Sequence, residues 1–196
     1  MDFINKFFFG FIFLVLMFGL PILYEYWKFR KEIKETKENR TKIKFWKSFF
    51  EMFGLTKFTW KTLLWGFLLS LALIAINILF VSLSSLFSFN DLSNSTVNQI
   101  KNFAAMPIFF SIFLLLSAIA EEFFFRSFLT TYLGVWISTI FFAIMHFTYG
   151  SYFEIVGAFI LGLVLALVWK KKKNFYIIAV AHFLQNLYAI LFMILY

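Results

Sequence analysis

The chain has 196 residues, of which 62% are hydrophobic, 24% aromatic and only 14% charged, with 33 Phe and a mean hydropathy of +0.86. This composition excludes a disordered chain and an ordinary soluble domain, and it leaves room in a membrane for one bundle of about five to seven spans at ~20 residues each. Cysteine is absent, which excludes a disulfide framework and a thiolate zinc site, and the formal charge of +8 must be read from where the basic residues sit.

Six apolar stretches, near 7–24, 62–87, 103–131, 135–149, 153–169 and 175–195, predict an all-α polytopic transmembrane helix bundle of about six spans. The first stretch is long, is preceded by the single basic residue Lys6 and is followed by no small-x-small cleavage site, so it is expected to stay as an anchor. From Glu25 to Lys61 the next segment carries 11 of the 18 Lys/Arg and 5 of the 10 acids, which is six of the eight net charges. A second basic cluster, Lys170 to Lys173, follows the fifth span, whereas the loop from Ser88 to Asn102 holds only Asp91 and Lys101. Alternating spans put both basic clusters on one side, expected to be the cytoplasmic side of a multi-pass cell-membrane protein with both termini outside. The charge is then an orientation signal towards membrane lipids, and no nucleic-acid partner is expected.

Within the basic segment, Lys31 to Lys42 is almost wholly polar and is expected in solution. Ile43 to Phe58 interleaves Phe45, Trp46, Phe49, Phe50 and Phe53 with Lys44, Lys47 and Lys57, the pattern of one interfacial helix lying among headgroups as a connector. The chain thus divides into an anchor span with its basic segment, 1–61, and a helical membrane domain, 62–196. Asn94-Ser95-Thr96 matches a glycosylation acceptor, which carries meaning only in a glycosylating host. No repeat of 20–50 residues is present, and Pro21 and Pro107 do not occupy matching positions in two halves, which argues against an inverted-repeat transporter.

The titratable residues inside or bordering the apolar spans are Glu121, Glu122, Arg126, His146, Glu154 and His182, including both histidines of the chain. A charge at membrane depth costs ~2.5–3.5 kcal/mol even on the lenient insertion scale, so adjacent Glu121 and Glu122 need partners or a wet cavity. If spans three and four turn at Leu133-Gly134, Glu121 and His146 each lie 12 residues from the turn, about 18 Å at ~1.5 Å per residue. On span six, entered after Asn174, His182 and Asn186 come to about 12 and 18 Å by the same rise. Glu154, at the start of span five near the opposite surface, is set aside as interfacial. Glu122 and Arg126 are i,i+4 with the acid first, the favourable order for an ion pair, which leaves Glu121 for chemistry. His182 with Asn186, and Phe142 with His146, are also i,i+4 pairs that share a helix face.

A carboxylate and an imidazole that share a water can deprotonate it, and a second imidazole with a side-chain amide can donate to the oxyanion of a tetrahedral intermediate. That set fits hydrolysis of a peptide bond by activated water. Ser127 and Ser138 lack a matching triad pattern, so serine chemistry is not indicated. Taken singly, an intramembrane Glu-Arg pair can simply lock helices together and a buried His can be a satisfied polar group; their convergence on one layer is what points to a site. The Phe residues, including Phe123 to Phe125, are assigned packing or lipid contact and no chemistry.

Glu121-Glu122-x-x-x-Arg126, Phe142-x-x-x-His146 and His182-x-x-x-Asn186, in that order on successive segments, resemble the CPBP family of intramembrane proteases, also called the CAAX-protease and bacteriocin-processing or Abi family, whose best-known members are type II CAAX prenyl endopeptidases. The resemblance covers about residues 105–190, including a fifth span with Gly157 and Gly162; Ser127 stands where a Gly is usual after the motif Arg. It implies an all-α membrane endopeptidase acting on a membrane-associated peptide or lipidated protein. Glu121 and His146 would activate water, His182 and Asn186 would stabilise the oxyanion, and Glu122 with Arg126 would orient the site. Bacteriocin self-immunity or peptide maturation is the alternative use of the same site, and a non-enzymatic transporter or scaffold is the reading outside the family. No cofactor is favoured. Zinc is possible, with Glu121, His146 and His182 as its ligands.

Overall fold

In the computed structural model, residues 2–36, 42–55, 58–86 and 107–195 are described. The loop 88–102 with its Asn94-Ser95-Thr96 triplet, residues 37–41 of the polar stretch, and Lys57 lie outside them. All regular structure among the described residues is helical.

The first apolar run continues as one 35-residue helix, α1 (Asp2–Thr36). The polar stretch that the sequence places in solution is therefore helical through Thr36. Part of the reason is tertiary: Glu25 is buried and accepts a hydrogen bond from the Tyr132 hydroxyl, to which Lys28 Nζ also donates at 3.3 Å. These contacts hold the charged end of α1 against the turn between the expected third and fourth spans.

Helix α2 (Lys42–Met52) forms where the aromatic and basic residues alternate. Its faces separate as helical periodicity requires: Trp46 and Phe50 are exposed, while Phe45, Phe49 and Phe53 are buried. The buried face does more than rest on headgroups. Phe53 stacks on Phe49 at 4.4 Å and on Phe123 at 4.8 Å, within a cluster that includes Leu165, Trp169, Phe175 and Ile178. Since Phe123 follows Glu121 and Glu122 directly, this aromatic cluster is the floor of the polar site.

Helix α3 (Trp60–Leu86) lies against α6 (Tyr152–Lys172) and α7 (Phe175–Leu195). Gly66 backs onto Val180, which lets α3 approach α7 closely, and α3 runs antiparallel to α6, with Trp65 beneath Lys172 Nζ at one end and Phe80 stacked on Phe153 at the other. Helix α6 opens on an N-cap: Ser151 Oγ accepts from the Glu154 N–H at 3.2 Å. Lys170, Lys171 and Lys172 close it, where cations favour the negative end of the helix dipole. Asn174 Oδ1 then accepts from the Ile177 N–H at 3.3 Å and starts α7.

Between α3 and α6 the backbone is helical from α4 (Pro107–Glu121), through a π-helical segment (Glu122–Leu129), into α5 (Thr130–Met145). Five helices among the described residues are long and apolar enough to cross a membrane, and the third of them runs from Ile108 to Met145. Those 38 residues would reach about 57 Å if straight, nearly twice the ~30 Å of hydrocarbon. They do not run straight. Gly134 adopts φ 84° and ψ 173°, open to glycine without a Cβ penalty, and the chain doubles back there. Ser138 Oγ returns to Phe125 O at 2.7 Å and Phe142 returns to the Phe125 ring at 5.2 Å. The expected third and fourth spans are thus two limbs of one hairpin, turning at Leu133-Gly134 as the sequence indicates. The returning limb is shorter than the expected 135–149: it ends at Met145, and His146–Tyr149 form a single 3₁₀ turn closed by Gly150.

The basic segments meet at one end of the bundle. Lys28 reaches Tyr132 beside the hairpin turn, the Gly54 carbonyl accepts from the Phe175 N–H at 3.1 Å, and Lys172 covers Trp65.

Candidate active site

The site is built from the π-helical segment outward. Helix α4 is apolar apart from its serines and its last residue, so the carboxylates of Glu121 and of Glu122 directly after it enter low-dielectric surroundings and must be compensated there. Widening into a π-helix begins at Glu122: the Thr130 N–H bonds back five residues to Phe125 O, and that carbonyl also accepts from Thr130 Oγ1 at 2.9 Å and Ser138 Oγ at 2.7 Å. Such insertions concentrate at functional sites. Here the segment carries Glu122 and Arg126 one above the other, with Arg126 Nη1 3.3 Å from Glu122 Oε1.

Both members of that pair are sealed from solvent, at 0% exposure for Glu122 and 1% for Arg126. The same Glu122 Oε1 also accepts from His182 Nδ1 at 2.7 Å, because a carboxylate can only accept and the imidazole must donate. The other ring nitrogen, Nε2, lies 3.7 Å from Glu121 Oε2. His182 therefore bridges the two adjacent glutamates from α7. Ser117, one turn before Glu121, donates to Glu121 Oε1 at 2.7 Å. Four ionisable groups, two acids and two bases, thus occupy one connected cluster whose formal charges sum to zero when His182 is protonated.

Phe142 organises the remaining side. Arg126 Cζ sits 3.9 Å from its ring centroid in a cation–π contact, and the ring packs against His146 at 4.7 Å and His182 at 6.0 Å. His146 Nδ1 donates to Phe142 O at 2.9 Å, so a neutral His146 carries its lone pair on Nε2. His146 is near enough to Glu121, His182 and Arg126 to feel their charges. Gly162 of α6 completes the packing: its carbonyl accepts from Arg126 Nη2 at 3.4 Å, and a Cβ added there would lie 2.7 Å from Phe142 and 3.1 Å from the guanidinium. Gly162→Ala is expected to displace the Phe142 ring, costing ~1–3 kcal/mol of stability by overpacking and lowering turnover with it. Thermal unfolding in detergent and an activity assay on the same sample check this, and unchanged values in both would show the approach to be slack.

A cavity of about 500 Å³ opens beside this cluster between α3, α6 and α7. His146, His182 and Asn186 line it together, with a mostly apolar wall that includes Leu73, Phe80, Phe153 and Phe192. Apolar walls with a few converging polar groups are the usual form of a small-molecule or peptide site.

All six residues singled out in the sequence lie in or against this region. Glu121, Glu122, Arg126 and His182 form the connected cluster, while His146 and Asn186 join it through the cavity and, for His146, through Phe142. Glu154, set aside as interfacial, also lines the same cavity. The short α5 limb is the reason: it brings the first turn of α6, where Glu154 sits, next to His146. Sequence reasoning also missed Ser117, although its i,i+4 spacing to Glu121 in an apolar helix was available as a signal, and it missed Asn77 and Gln185 in the cavity wall. Ser127, which replaces the usual Gly, is buried and donates to Phe53 O at 3.3 Å, tying the π-helical segment to α2.

The possible zinc set of Glu121, His146 and His182 fits poorly. Among the described residues no three His, Asp or Glu side chains gather as a metal cradle.

Searches of the curated proteins and of the solved structures return no significant match. The family model described as Type II CAAX prenyl endopeptidase Rce1-like matches residues 103–188. This is the region in which the motifs resemble the CPBP proteases, and it contains the hairpin, the cluster and both histidines. Residues 103–188 of this all-α membrane protein are accordingly similar to the Rce1-like type II CAAX prenyl endopeptidases, in agreement with the resemblance that the motifs carry.

Proposed function

We propose that the chain is an intramembrane endopeptidase that hydrolyses a peptide bond in a prenylated or otherwise membrane-associated substrate. The observation that carries this reading is the joining of Glu121 and Glu122 through His182, at the wall of an apolar cavity that His146 and Asn186 also line. A water held between Glu121 and His146 loses a proton to them as its oxygen attacks the scissile carbonyl. The oxyanion that forms is met by the His182 Nε2–H and the Asn186 amide, while Glu122 and Arg126 hold His182 in the orientation and protonation state that donate. Collapse of the intermediate breaks the C–N bond, and the proton taken from water passes to the leaving amine. Phe142 and the Phe-rich walls keep bulk water out, which strengthens each of these electrostatic contacts. We also assign the shared basic end to the cytoplasm on its Lys/Arg excess, which places both termini outside.

The test is cleavage by the full chain, purified in detergent, of a quenched prenylated CAAX peptide and a panel of unprenylated peptides. Cleavage is expected, with preference for the prenylated peptide, and dialysis against a chelator is expected to leave turnover unchanged. Failure to cut any member, together with ion or proton transport that survives Asn186→Ala, would replace the reading with a transporter. Loss of turnover on chelation and its return with zinc would overturn the metal-free step.

A further inference from the structure

We propose that Gln185 is a substrate-binding residue, whose side-chain carbonyl accepts a main-chain N–H of the peptide beside the scissile bond. The inference rests on the endopeptidase reading above and extends it to a position that no motif contains. Gln185 lies on α7 between His182 and Asn186 and lines the same cavity as both. It is 5% exposed, and its Oε1 is buried without a hydrogen-bond partner.

A buried carbonyl with no donor is a cost that folding alone gives no reason to carry, since Leu or Met would fill the same space without a polar atom. Leu73, Leu161, Leu165 and Ala189 of the wall carry no side-chain donor, and none of its polar residues, Asn77 and Asn186 among them, bonds Gln185 Oε1. An occupant of the cavity can supply one. The terminal amide torsion of Gln is broad and soft, so the carbonyl turns toward the cavity without any movement of α7. Asn186 is its immediate neighbour, and His182 is three residues back, about 4.5 Å along the helix axis. An extended peptide presents an N–H within one residue, ~3.3 Å, of any given carbonyl. A chain whose scissile carbonyl faces His182 and Asn186 therefore brings a flanking N–H to Gln185.

The experiment combines Gln185→Met and Gln185→Leu with substrates in which each of the two amides flanking the scissile bond is replaced in turn by an ester, removing one N–H. The probe is the quenched prenylated CAAX peptide, and the protein is the full chain in detergent. For wild type, one of the two esters is expected to raise KM about tenfold, the scale of one buried hydrogen bond, with a smaller change in kcat. Each variant is expected to show the same rise on the all-amide peptide and no further rise on that ester. Thermal unfolding of the variants should be at or above the wild-type temperature, because the orphaned carbonyl is gone. Cleavage by wild type with unchanged KM in both variants, an ester penalty that persists in them, or variants less stable than wild type would overturn the role of Gln185 and leave the protease reading standing. Failure of wild type both to bind and to cleave the peptide would overturn the protease reading and this inference with it.

Discussion

Glu121→Gln and His146→Ala are each expected to lower turnover at least ~10²-fold, the usual contribution of a positioned general base. The Gln substitution is nearly isosteric and keeps a carbonyl for the Ser117 hydroxyl, which now bonds Glu121 Oε1 at 2.7 Å, so the fold should persist while the base is lost. His146→Ala removes the nitrogen that shares the water but leaves the cluster of Glu122, Arg126 and His182 intact. Both variants are to be compared with wild type on the quenched prenylated peptide, with unfolding temperatures measured in parallel. A rate near wild type in either variant removes the proposed pairing of Glu121 with His146. The structure makes this a sharp test, because the imidazole in contact with Glu121 is that of His182, at 3.7 Å.

The largest loss of stability is expected from Arg126→Ala. Its guanidinium is sealed at 1% exposure and contacts Glu122 at 3.3 Å, the Gly162 carbonyl at 3.4 Å and the Phe142 ring at 3.9 Å. Removing one partner of a buried ion pair leaves an uncompensated charge, at a cost of ~3–5 kcal/mol. Unfolding in mixed micelles measures the loss. Adding Glu122→Gln to Arg126→Ala should recover part of it, since the stranded carboxylate is neutralised; a double variant no more stable than the single one would show that packing against Phe142, and not charge balance, sets the cost. Turnover should fall in both variants, because His182 Nδ1 takes its orientation from Glu122.

Much of the site was legible because membranes leave few reasons for polar residues. Glu121, Glu122, Arg126, His146 and His182 stand out among apolar neighbours, and helix rise is regular enough to place them at comparable depth. The hairpin turn was legible for a similar reason: Gly134 interrupts a stretch too long to cross once. Less visible was anything that depends on which helix face meets which partner. Glu25 reads only as the first residue of the basic segment, yet the Tyr132 hydroxyl holds it in a buried position from more than a hundred residues away. Phe45, Phe49 and Phe53 read as headgroup contacts, yet Phe123 and Trp169 provide a closer apolar surface than lipid does. Glu154 reads as interfacial because it starts the fifth span near the surface opposite the basic segments, and in the fold that position also borders the cavity.

The sequence by itself determined the class of protein, the two basic segments, the turn and the identity of the polar minority, since each follows from hydropathy, charge and local spacing. Only the tertiary structure decided how that minority is wired. Six residues read as three pairs, Glu121 with His146, His182 with Asn186 and Glu122 with Arg126; the last forms as its spacing indicates, and in the fold His182 also touches both glutamates. Local spacing cannot specify this, because a π-helical insertion is held in place by Ser138 from the returning limb, and because the partner of a buried charge is chosen by whichever helix packs against it.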